Sequence, residues 1–365
     1  MFPGRLALQQ RVLPSYRTSF FDGLAQACEG GLSLFAGQPR PDEGINPAAG
    51  SRAAQFMPAR NLHVFRGRFY LCYQFGVQDW LDDWDPDALI VEANPRYLST
   101  PAAIRWMKRR GRPVLGWGLG ARMQSGLLSG VSKKLWVDFL KQFEALIAYS
   151  RRGADEYARL GFSPEKISVA PNAVAPRPVH GLPARPGSFV ERPILLFVGR
   201  LQDRKRVDLL LQACALLGSA VQPRLIVIGD GPARSAMEEL AKKIYPPAEF
   251  IGPRHGDELI PFYTAADLFV LPGTGGLAVQ EAMAYGLPVV VAAGDGTQED
   301  LVHPGNGWQI PPGDLNALVE TLRLALSDVS RLRAMGEESY RIVSGEVNLE
   351  KMVSAFVEAL NTLRL

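Results

Sequence analysis

Short apolar runs alternate with amphipathic stretches along nearly the whole chain. In the first half, runs at Leu6–Arg11, Leu32–Ala36, Leu62–Phe65, Ala88–Glu92, Pro113–Trp117, Ala145–Tyr149 and Ile167–Val169 read as strands. Segments at Ser19–Cys28, Pro101–Arg110, Ser132–Phe143 and Gly153–Leu160 between them read as helices. Strand, helix and strand at this spacing predict right-handed crossovers and a parallel sheet covered on both faces.

The rhythm breaks at residues 171–193, which are dense in proline and glycine and carry no period. It restarts with Ile194–Val198, Arg224–Ile228, Glu249–Ile251, Leu268–Leu271 and Pro288–Ala292. The runs ILLFV, DLFVL and PVVVA are continuously apolar, as strands buried on both faces should be. Near the end, Met352, Val353, Phe356, Val357 and Leu360 form one stripe of a helix over Leu349–Leu363. The expected organisation is a doubly wound α/β domain over residues 1–175, a linker at 176–192, and a second such domain over 193–348. The closing helix, 349–365, is expected to pack back on the first domain. A length of 365 residues agrees with two domains, because single cores seldom grow past about 250–300 residues.

Composition narrows the classes of function. At 47% hydrophobic the chain can bury a sizeable core, which excludes general disorder. Forty basic against thirty-seven acidic residues leave +3, far from the field of a dedicated nucleic-acid binder. Cys28, Cys72 and Cys214 show neither metal spacing nor a disulfide framework. No apolar stretch approaches the roughly 18 residues of a spanning helix, and the first residues lack a signal pattern. A cytoplasmic protein is expected, with any membrane contact peripheral, at the inner face.

Candidate chemistry gathers in the loops that follow strands, where open α/β sheets bind ligands. After Ile194–Val198 comes Gly199-Arg200, and then Lys205 at the start of the next helix. Two cations so close repel unless an anion lies between them, and a diphosphate fits; a solvated basic turn is the plain alternative. After Leu268–Leu271 the segment Gly273-Thr274-Gly275-Gly276-Leu277 lets the backbone approach a ligand and aims a helix N-terminus at it. Glu281 stands one turn inside that helix. Gly252-Pro253-Arg254-His255 is a further loop at a strand's end. In the first half, Arg11, Ser15, Tyr16 and Arg17 follow the first strand, Glu92 and Asn94 end the fourth, and Gly118 ends the fifth.

The order VGR-x4-K, IGDGP, FIG, AADLFVLP, EAMAYGLPVV and GxxE, with PNAV ahead of the linker, resembles the retaining GT-B glycosyltransferases of the group 1, or family 4, class. The resemblance covers roughly residues 145–325 closely and the first 144 only in topology. It implies two Rossmann-like domains facing across a cleft, the first for the acceptor and the second for a nucleotide-sugar donor. It implies that Arg200 and Lys205 clamp the diphosphate, and that Glu281 completes the catalytic set by holding the ribose hydroxyls. Gly199, Gly252, Pro253, Arg254, Thr274, Gly275, Gly276 and Leu277 would complete the donor pocket. Arg11, Ser15, Tyr16, Arg17, Glu92, Asn94 and Gly118 would face the acceptor, a glycan or a lipid-linked molecule. A UDP- or GDP-sugar would be the co-substrate, with no resident cofactor and no metal, and the product would belong to cell-surface polysaccharide or glycolipid synthesis.

The chain departs from that pattern twice. The family's glutamate eight positions before the second one falls on Gly273, and no histidine stands clearly at a strand end of the first domain. The absent carboxylate at Gly273 keeps a non-catalytic nucleotide-sugar sensor or assembly subunit open beside the transferase, and a sugar-nucleotide epimerase sharing the same fold is a third reading. The acidic stretch Asp79–Asp87 reads as a solvated loop rather than a metal-binding DxD. The mixed clusters Arg105–Arg110 and Lys133–Trp136 read as solvated helix faces, with membrane docking as the alternative.

Overall fold

The structure, a computed structural model, describes residues 1–120, 129–218, 221–275, 277–294 and 296–363. These divide into two compact units, residues 1–174 with 349–365, and residues 175–348.

In the first unit the elements run β1 (Leu6–Val12), α1 (Thr18–Gln26), β2 (Leu32–Gly37), β3 (Gln55–Pro58), β4 (Arg60–Val64), β5 (Leu71–Phe75), α2 (Val77–Trp84), β6 (Ala88–Glu92), α3 (Thr100–Lys108), β7 (Val114–Gly118), α4 (Ser129–Leu140), β8 (Ala145–Ala148), α5 (Arg151–Arg159) and β9 (Ile167–Val169). Seven strands form one sheet in the order β3-β2-β1-β6-β7-β8-β9, every neighbouring pair parallel. Strand order therefore reverses between β1 and β6, and the loops leaving their carboxyl ends diverge.

The second unit contains β10 (Ile194–Val198), α6 (Val207–Leu216), β11 (Arg224–Ile228), α7 (Arg234–Ile244), β12 (Ala248–Gly252), α8 (Ile260–Ala265), β13 (Leu268–Leu271), α9 (Leu277–Ala284), β14 (Val289–Ala292), α10 (Thr297–Leu301), β15 (Gly307–Ile310), α11 (Leu315–Ser327) and α12 (Val329–Gly345). Its six-stranded parallel sheet has the order β12-β11-β10-β13-β14-β15, which reverses between β10 and β13. Both units are thus doubly wound α/β sheets, as the alternation of runs predicts. The last helix, α13 (Leu349–Asn361), packs on α1 in the first unit. There Phe356 meets Phe20 and Trp117 edge-on, each at 4.9 Å between ring centres.

Several expectations need correcting. The strand expected at Leu62–Phe65 is not in the parallel sheet; it is β4, paired antiparallel with β5 as a separate hairpin. Strands β3, β5 and β15 lack the uniform apolar runs that mark their neighbours. The acidic stretch Asp79–Asp87 is not a loop over most of its length: α2 buries Val77, Trp80 and Leu81 on one face. Its acids serve the basic cluster that follows, since Arg110 pairs with Asp82 and Arg112 with Asp85. Trp106 is buried and donates to Asp82 at 2.8 Å, so this cluster offers no tryptophan to a membrane. Trp136 packs against the core of the first unit.

The proline-rich segment is not a loose tether. It belongs to the second unit, where the Arg185 guanidinium donates to the carbonyls of Tyr263, Thr264, Ala266 and Tyr285. Burial, and then the nearby Arg333 charge, push Arg185 down to about 10. Arg333 itself bridges to Asp267 at 2.7 Å.

Candidate functional site

In the second unit the reversal point brings two loops together. The loop leaving β10 carries Gly199, exposed Arg200, and a single turn of tight helix, Asp203–Lys205. The loop leaving β13 carries Gly273, Thr274 and Gly275 into α9, where Leu277 is the first residue; Gly276 lies outside the described residues. The Lys205 ammonium donates to the Thr274 carbonyl at 2.6 Å, and the Thr274 amide donates to the Arg204 carbonyl at 3.0 Å. Arg204 also reaches the Thr274 hydroxyl, at 3.4 Å.

Gly273 explains how the loops come so close. A Cβ built there would collide with the carbonyl oxygen of Arg204 and stand 2.5 Å from the Cα of Lys205. These are backbone atoms with no flexible end to turn aside. The position that holds a glutamate in the resembling family is therefore closed to any side chain in this arrangement. Gly275, at φ +109°, lies directly under the Lys205 ammonium, and its carbonyl accepts from the buried Gln298 amide at 3.1 Å. Burial, with the adjacent Arg204 charge, pushes Lys205 down to about 8. An ammonium that is half-buried beside a second cation is held at a cost, which an anion would offset.

Glu281 lies on α9 and accepts a hydrogen bond from the buried Tyr263 hydroxyl at 2.9 Å. Burial raises its pKa above the usual carboxylate range, while the tyrosine pulls it back in part. The Tyr263 ring stacks on Tyr285 at 5.3 Å and 9°, which fixes the hydroxyl's direction. At the far side, Gly252 ends β12 with φ +83° and accepts from the Gly229 amide at 3.0 Å. Pro253 is exposed beside it, and Arg254 turns back to the Pro253 carbonyl at 2.8 Å.

The carboxyl ends of β1, β6 and β7 hold the residues expected to face an acceptor. The Arg11 amide donates to Glu92 at 3.0 Å, but its guanidinium is engaged by Glu43 at 2.8 Å. Arg11 therefore acts here as a clamp on the loop around Glu43. Ser15 and Tyr16 are exposed. Glu92, Asn94 and Gly118 line a cavity of about 290 Å³ with Tyr97, Trp117 and Tyr149. Burial raises the Glu92 pKa against the opposing pull of Arg11, Tyr97 and Arg17. Arg17 is buried against this cavity wall, its guanidinium 5.2 Å from the Trp117 ring and 5.3 Å from the Tyr149 ring. It donates to Asn172 at 2.6 Å. Among the described residues, neither its Nη1 nor the Trp117 indole nitrogen meets an acceptor. A cavity of about 820 Å³ lies by Arg112, Pro113, Glu144 and Lys166, on the amino-end side of the sheet away from these loops.

Arg204, Tyr263 and Gln298 in the second unit, and Trp117 and Tyr149 in the first, were not foreseen. Tyr263 and Gln298 reach the site only through the fold, whereas Arg204 and Trp117 are the chain neighbours of Lys205 and Gly118. Among the described residues no three of His, Cys, Asp and Glu gather as metal ligands, and no helix is long and apolar enough to cross a membrane.

A family model for group 1 glycosyl transferases matches residues 182–342, and one for a glycosyl transferase 4-like domain matches residues 24–173. A stretch of 153 residues is 36% identical to sulfoquinovosyl transferase SQD2 of Arabidopsis thaliana, covering 40% of this chain and 29% of that protein. Over 126 residues the chain is 37% identical to a GDP-mannose-dependent alpha-mannosyltransferase of Mycobacterium tuberculosis, covering 34% and 31%. The matched stretches thus span about a third of these curated relatives. Among solved structures, Anabaena HepE in complex with UDP superimposes with a TM-score of 0.71, at 16% identity and with both chains covered in full.

Proposed function

Because the chain belongs to the group 1 glycosyltransferases of GT-B fold, we propose that it moves a hexose-type sugar from a UDP or GDP carrier to a glycan or lipid-linked acceptor. The reading includes retention at the anomeric carbon, no metal, and a place in cell-surface polysaccharide or glycolipid synthesis at the cytoplasmic side. The observation that carries it is the junction of the two loops at the reversal point, where Lys205 is held against Thr274 and Gly275.

Breaking the glycosidic bond leaves negative charge on the departing diphosphate. Lys205 and Arg200 would meet that charge, and the α9 N-terminus adds its dipole from the other side. Glu281, oriented by Tyr263, would accept from the ribose hydroxyls. With Gly273 in place of a carboxylate, contacts to the sugar would fall to the Thr274 hydroxyl and to backbone groups. The acceptor oxygen would bond to the anomeric carbon from the face the diphosphate leaves, and its proton would pass to the departing phosphate oxygen. The relatives named for sulfoquinovose and mannose transfer support a hexose-type donor.

A thermal-shift screen with UDP-, GDP- and ADP-sugars tests the donor, because binding to the folded state raises its melting temperature. Proton NMR of the product then reads the anomeric configuration. Gly273 is the one feature that favours a nucleotide-sugar-binding subunit without turnover. A melting shift with no product from any acceptor would select that reading.

A further inference from the structure

The β4–β5 hairpin is built inside out. Its inward face is polar: Asn61 donates to the carbonyls of Arg11 and Gln38, His63 bonds to Tyr70 and to the Gln38 carbonyl, and buried Gln74 donates to the Gln10 carbonyl. These bonds fix the hairpin across the carboxyl end of β1. Its outward face is apolar, with cross-strand pairs Leu62–Tyr73 and Arg60–Phe75. Leu62 is 49% exposed, Phe75 45%, and at the tip Phe65 and Phe69 are 65% and 64% exposed. Phe65 also holds φ +60°, a conformation that a bulky side chain adopts only at a cost and that burial does not offset here.

Charge says what covers this face. Between Glu43 and Asp79 the chain carries no acidic residue and four arginines: Arg52, Arg60, Arg66 and Arg68. Arg60 lies over the Phe75 ring at 5.4 Å. One carboxylate reaches the tip, Asp42, which pairs with Arg66 at 3.3 Å and with Arg40 at 3.6 Å, so the arginines still outnumber the acids there. Aromatic rings at a tip flanked by an excess of arginines fit the boundary between anionic headgroups and acyl chains. We propose that this hairpin docks the protein on an anionic lipid surface, inserting Phe65 and Phe69. The docking surface is distinct from the basic cluster Arg105–Arg110, whose tryptophan, Trp106, is buried. It goes beyond the proposed transfer reaction and does not depend on it; a lipid-linked acceptor would be met on the same side, beside Arg11.

Co-sedimentation of the full chain with phosphatidylcholine vesicles, with and without phosphatidylglycerol, tests the docking, with nucleotide binding measured separately. The wild type is expected to pellet with the anionic vesicles only. Phe65→Ser with Phe69→Ser should reduce that partition by about tenfold or more. Arg60→Glu with Arg66→Glu should abolish the preference for anionic lipid, since each exposed arginine strengthens partition by about fivefold. All four positions are exposed, so both variants should melt as the wild type does. Equal pelleting with neutral vesicles, no pelleting at all, or undiminished binding by the phenylalanine variant overturns the proposal. So does a concentration-dependent dimer that the same substitutions dissolve, which would assign the face to a second copy of the chain.

Discussion

The Lys205 ammonium is bonded to the carbonyl oxygen of Thr274, 69 residues away, at 2.6 Å. Burial and Arg204 hold that ammonium near a pKa of 8, below the value of an unfolded lysine. Below pH 8 the folded state carries the charge and its burial cost in full. From 8 towards the unfolded value the unfolded chain binds more protons, so this group makes stability rise with pH. A bound diphosphate favours the charged form. Near pH 8, nucleotide binding should therefore take up a proton, seen in calorimetry as a binding enthalpy that varies with the buffer's ionisation enthalpy. No buffer dependence would contradict the placement of Lys205 at the phosphates.

Restoring the family's carboxylate should harm the protein. Gly273→Ala already forces a Cβ into the backbone of residues 204 and 205, and should destabilise by about 1–3 kcal/mol. Gly273→Glu should do at least as much and lower turnover. Denaturant unfolding with parallel rate measurements checks both. Higher activity in Gly273→Glu would mean that the loops do not meet as described.

Tyr263→Phe removes the hydroxyl that orients Glu281 and leaves the stacked ring. Donor KM should rise about threefold to tenfold with kcat little changed, the signature of a lost binding contact. Glu281→Gln should raise KM further. Because burial raises the Glu281 pKa, donor affinity in the wild type should fall with acidification at a pH above the ordinary carboxylate range, and Glu281→Gln should lose that fall.

Arg185→Ala should cost about 2 kcal/mol, because a charged donor shared by four carbonyls is lost. Limited proteolysis should then cut within residues 176–192, which resist in the wild type. Equal cleavage of both would show the segment to be unclamped.

Much of this fold is legible in the sequence, because strands covered on both faces must be apolar throughout. Leu195, Leu196, Phe197, Phe269 and Val290 are all fully buried. The placement of Lys205 and Glu281 is legible too, since each follows a strand's end by a short distance in the chain. What escapes is whatever depends on distant packing. Tyr263 meets Glu281 across 18 residues, and Gln298 meets Gly275 across 23. The β4–β5 hairpin is read only in part, as a strand at Leu62–Phe65, because Asn61, His63 and Gln74 face inward while Leu62, Tyr73 and Phe75 face outward, against the rule by which strands are read. In α2 the spacing of Val77, Trp80 and Leu81 carries a helix signal, but five acids among nine residues draw the eye to charge.

Calorimetric titration of UDP and GDP into the wild type, Arg200→Ala and Lys205→Ala bears most directly on the donor pocket. The wild type should bind at least one of the two, and each substitution should weaken that binding by about tenfold or more while the fold is kept. Affinity unchanged in both variants, or a wild type that binds neither nucleotide, would contradict it.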